Sequence, residues 1–105
     1  AKERLKSLNV IGRSLNNDPE DAKLIKQYIN IAFSAFEWDE VIRGIKKADE
    51  AGLEDDGKFA LMKGIAYFEK KSITNAKNSF IEASNSKEYK DQGIAWLEYL
   101  EALNG

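Results

Sequence analysis

Displaced by 35 residues, the sequence falls on itself. Ile25 lands on Ala60, Ala32 on Tyr67, Phe33 on Phe68, Trp38 on Ile73, Val41 on Ala76, Ile45 on Phe80 and Ala48 on Ala83. Each superposed stretch carries apolar residues at helical spacing, two stretches per period. A period in the middle thirties built from two helices is the signature of a stacked repeat, because one such unit cannot bury its apolar face alone. Few other architectures accept that constraint, so the expectation is an all-α chain.

The rest of the chain divides to match. A first block from about Lys2 carries Leu5, Leu8, Ile11 and Leu15 at helical spacing and stops at Asn16-Asn17-Asp18-Pro19. Asp18 suits an N-cap and Pro19 the first helical position of the block that follows. That block ends near Ala35, and Glu37-Trp38-Asp39 leads into a third, stopped by Gly52. Leu53 to Gly57 is a loop with capping acids. A fourth block runs to about Lys70, Lys71-Ser72 turns into a fifth, and a last one extends from about Glu88. Strand-like alternation is nearly absent. Six helices on short connections imply antiparallel neighbours.

Gly64, Tyr67, Ala76, Phe80 and Ala83 stand at intervals of 3, 9, 4 and 3. This pattern resembles the tetratricopeptide repeat, whose consensus sets small, aromatic, small, aromatic and small residues at those intervals. Small residues belong where two helices cross closely, and the aromatics fill the space around the crossing. In the preceding unit Ile29 replaces the small residue, Ala32 the aromatic and Val41 the alanine, which suggests an exchange of small and large across the contact. Pro19 falls where the consensus has proline. The resemblance implies a right-handed α-solenoid of about two and a half repeats plus a capping helix, in one domain over residues 1–105. Residues 1–18 would be the second helix of a truncated repeat, 19–53 and 54–87 full repeats, and 88–105 the cap. The stretches Lys58–Phe68 and Ala95–Leu100 are similar to repeats of bacterial envelope proteins that accompany TonB-type systems, which implies a periplasmic location; composition alone assigns no compartment.

Composition narrows the chemistry. The chain has no histidine and no cysteine, which removes the commonest general base and metal ligand, every His-containing triad, disulfides and thiolate sites. The acid runs Glu37-Asp39-Glu40 and Glu54-Asp55-Asp56 lack the ligand order of a calcium loop and read as caps and solvated faces. No cofactor, metal or catalytic constellation is expected. Acids and bases alternate around a net charge of −2, so no basic field for nucleic acid exists, and no apolar run is long enough to span a bilayer.

What remains is another protein as partner. Family-wise, ligands lie along the first helix of each repeat, on the concave face. The resemblance therefore points to Lys23, Lys26, Asn30 and Phe33 in one repeat and Lys58, Leu61, Ile65 and Phe68 in the next, a surface suited to an acidic and apolar peptide or helix in an adaptor or assembly role. Lys26 and Asn30 also match the opening of the carboxylate clamp of some co-chaperones, but Met62, Gln92 and Trp96 depart from it. A second reading makes the module structural, stacking on another copy or on N-terminal repeats missing here; the stripe of Leu5, Leu8, Ile11 and Leu15 would then either mediate self-association or leave that helix to fray.

Overall fold

The computed structural model describes residues 2–104. Among them are six α-helices and no strand: α1 (Lys2–Asn17), α2 (Ala22–Ser34), α3 (Trp38–Glu50), α4 (Lys58–Glu69), α5 (Ile73–Ser84) and α6 (Lys90–Asn104). The chain divides into two compact units, Ala1–Glu54 and Asp55–Gly105. In the first, α1 and α3 each pack on α2; in the second, α4 and α6 each pack on α5. Consecutive antiparallel packing of this kind is that of a helical repeat.

The caps show where local chemistry overrode expectation. Asp18 is still closing α1, its N–H donating to the Ser14 carbonyl, so it does not open α2. Pro19 and Glu20 form a turn, and Asp21 takes the capping role instead, accepting from the Leu24 amide at 3.1 Å. Before α4, Asp55 accepts from the amides of Gly57 and Phe59. α6 begins at Lys90, two residues later than the sequence suggests, after the Ser86 hydroxyl has accepted from the Tyr89 amide at 3.1 Å.

The 35-residue period is written into the backbone. α2 ends with Phe36 N–H on the Phe33 carbonyl and Glu37 N–H on that of Ala32; α4 ends with Lys71 N–H on Phe68 and Ser72 N–H on Tyr67. These are two Schellman turns in the same register, with left-handed residues at Phe36 (φ 60°) and Lys71 (φ 64°). α3 closes the same way on Gly52 (φ 72°). Glycine accepts that conformation without strain, whereas a Cβ costs about 1–2 kcal/mol there.

Each unit contains a close helix crossing at which a glycine faces a large side chain. In the second, a Cβ at Gly64 would stand 2.5 Å from Cε1 of Phe80, so only glycine lets α4 lie over that ring. Ala76, Phe80 and Leu100 form the buried centre, with Tyr67, Trp96 and Leu97 against it. In the first unit the large partner is Ile29 on α2, and the glycine has moved to α3: a Cβ at Gly44 would meet Ile29 Cγ1 at 2.7 Å. The exchange of small for large is present, with Gly44 rather than Val41 opposite Ile29.

Polar contacts complete the first unit. Arg4 of α1 donates at 2.7 Å to the carbonyl of Ser34, the last helical residue of α2, where unpaired carbonyls and the negative dipole end both favour a cation. Tyr28, buried, donates to a carboxylate oxygen of Glu40, whose other oxygen lies 3.1 Å from Arg43. Burial, and after it the hydrogen bond and charge of Glu40, push the phenol well above its ordinary value of 10. Leu8 and Leu15 are buried, while Leu5 is half-exposed, so the apolar stripe of α1 is largely covered from within rather than bare.

Three outcomes follow for stability. Gly64→Leu is expected to overpack the Phe80 ring and cost about 1–3 kcal/mol in thermal or denaturant unfolding; unchanged stability would remove Gly64 from the crossing. Lys71→Gly is expected to raise stability by about 0.5–1 kcal/mol, read the same way. Because the folded pKa of Tyr28 is raised, its contribution is complete below pH 10 and is lost progressively as pH rises from there through the higher folded value. Denaturant midpoints measured across the alkaline range should show this loss, and Tyr28→Phe should flatten it.

Candidate functional site

Residues three or four apart share a helix face. On α2 the face so defined carries Lys23, Lys26, Asn30 and Phe33; on α4 it carries Lys58, Leu61, Ile65 and Phe68. The two stripes occupy corresponding positions of their helices but differ in character. In the first unit Lys23, Lys26 and Asn30 are exposed. Phe33 is half-buried, its ring meeting Trp38 edge-on at 5.5 Å, and Phe36 closes on the other side of that indole at 5.8 Å. This stripe is cationic with an aromatic end.

In the second unit Lys58 is exposed, and Leu61, Ile65 and Phe68 are half-buried against the Ala76–Phe80–Leu100 centre. Their inner sides therefore hold the fold while their outer sides remain available. Phe68 is also drawn into an aromatic group on α6. Trp96 stacks flat on the buried Phe80 ring (4.9 Å, 7° between planes) and meets Phe68 at 5.3 Å. Tyr99 closes the set, at 5.8 Å from Phe68 and 5.7 Å from Trp96. Only Phe80 is fully buried; Tyr99 is 49% exposed. Ala95, Trp96 and Tyr99 line an open hollow of about 260 Å³.

Trp96, Leu97, Leu100 and Leu103 of α6 stand at helical spacing. Trp96, Leu97 and Leu100 do pack inward, whereas Leu103 is 57% exposed. Tyr99 was missed as a surface element. Its signal was the spacing of three from Trp96, which sets the two rings side by side on one helix. The clamp reading loses further ground, since Met62, at a position where the clamp needs a polar group facing the ligand, is buried.

No family model, no curated protein and no solved structure matches this chain. No helix among the described residues is long and apolar enough to cross a membrane. The chemistry open to these surfaces is recognition. One offers ammonium groups for carboxylates, the other an aromatic surface whose inner members are fixed by the core. Aromatics pre-positioned in this way lose little freedom when a ligand covers them.

Proposed function

We propose that the chain is a protein-binding module of tetratricopeptide type, a right-handed solenoid segment serving as adaptor or assembly element. The observation that carries this reading is the half-exposed group of Phe68, Trp96 and Tyr99, seated on a buried ring and continued along α4 by Ile65 and Leu61. Aromatic anchors on a rigid support are the usual centres of binding energy in protein interfaces, and an amphipathic helix or an extended peptide presents the apolar side chains that fit them. The exposed Lys58, on the same helix α4, favours a segment that also carries an acid.

Two variants test the reading on a captured partner protein. Tyr99→Ala, at an exposed position, is expected to weaken binding by about 1–2 kcal/mol without lowering stability by as much. Reversing Lys58 to Glu is expected to weaken it as well and to flatten its dependence on salt. A partner that binds both variants as tightly as the parent would move the site off α4 and α6 altogether.

A further inference from the structure

The first unit shows how helices of two alternating kinds assemble. α1 and α3 pack on the same helix, α2, and face each other across a trough of about 730 Å³ floored by Tyr28. The 35-residue correspondence makes α3 and α5 one kind of helix and α2 and α4 the other, and the alternation assigns α1 to the first kind and α6 to the second. In the second unit α5 and α6 thus reproduce the α1–α2 half of that arrangement. Ile73, Lys77 and Ile81 recur every four residues along α5 and face Leu97, Leu100 and Glu101 of α6 across a groove of about 410 Å³. Among the described residues no third helix lines it. Ile73 and Ile81 stay 39% and 42% exposed, although the groove is mostly apolar.

A helix of the first kind with an unused face is present in the same chain. On α1, Lys2, Lys6, Val10 and Arg13 recur at spacings of four and three on the side away from Leu8 and Leu15, and all are exposed, Val10 by 60%. α1 carries Lys2, Arg4, Lys6 and Arg13 against Glu3 alone; α6 carries Asp91, Glu98 and Glu101 against Lys90 alone. One helix is basic and the other acidic.

We propose that the α5–α6 groove receives α1 of a second copy of this chain, so that α1 stands to the neighbour's α6 as α3 stands to α2. Val10 gives the α5 isoleucines an apolar contact, and Lys6 and Arg13 meet the acids of α6, with Lys77 and Glu3 a further pair opposite in sign. Charge also decides the symmetry. Pairing α6 with α6 would oppose acids and pairing α1 with α1 would oppose bases, and like charges across an interface are strongly disfavoured. The contact is therefore heterologous, and a single contact leaves one α1 and one groove unused, so assembly continues beyond a dimer unless a ring closes.

Light scattering on the whole chain over a micromolar to millimolar series tests this, with helicity followed to confirm that each variant folds. The parent is expected to at least double its weight-average mass across the series. Lys6→Glu with Arg13→Glu, and separately Glu98→Lys with Glu101→Lys, should each lower the association constant about tenfold or more. An equimolar mixture of the two should recover association, since each supplies the end the other lacks. Ile81→Lys, at an exposed site on a different helix, should weaken association as the charge variants do. A parent that stays monomeric throughout overturns the proposal, as does either charge variant associating alone as strongly as the parent, which would mean a like-with-like contact. A mixture that fails to recover, or an Ile81→Lys chain that associates normally, overturns it as well.

Discussion

A glycine lying against a large side chain is what lets α2 come close to α3, and α4 to α5, so that each pair forms a core. Two antiparallel helices with Cβ atoms all along both faces are held apart by them; removing one at the crossing brings the backbones together and opens a slot that one bulky residue can fill. Phe80 fills it in one unit and Ile29 in the other. Both are fully buried, and the remaining core residues, from Val41 and Ile45 to Ala76 and Ala83, are arranged around them.

The candidate binding surface inherits its order from that contact. Because Gly64 admits the Phe80 ring beneath α4, the ring offers its other surroundings to α6, and Trp96 lies flat upon it. Trp96 in turn sets the positions of Phe68 and Tyr99. A chain of aromatic contacts thus runs from a wholly buried residue to a half-exposed one, and each ring is oriented by the one below it. An aromatic surface held in this way is rigid for the same reason that a core is rigid.

Most of the helical plan was legible in the sequence because periodicity, glycine and proline act locally. The 35-residue period proved accurate down to the two left-handed turn residues, Phe36 and Lys71, although neither is a type that announces such a turn. The start of α2 was misread, since Asp18 and Asp21 carry the same capping group and only the hydrogen bond from Asp18 to Ser14 decides between them. Gly44 was overlooked because the consensus looks for a small residue one turn earlier, at Val41, and spacing along one helix does not say what stands opposite on the next. The lysine stripe of α2 was legible as a helix face. The Phe68–Trp96–Tyr99 group was not, because it depends on how α4 and α6 meet beside α5, a relation between segments far apart in the chain.

The exchanged glycines also bear on how such a chain could have diverged after duplication. A duplicated unit begins with identical contacts, and its second helices are then interchangeable by recombination. Once Ile29 faces Gly44 while Gly64 faces Phe80, that freedom is gone. A crossover that joined α2 to α5 would set Ile29 against the helix bearing Phe80 and Ser79, with Ser79 standing where Gly44 had been, and the pair would be overfilled. Joining α4 to α3 would leave Gly64 with Ile45 in place of the aromatic ring, and the slot would be partly empty. Each helical pair is therefore a matched set, and only an exchange of the whole pair would leave both cores filled.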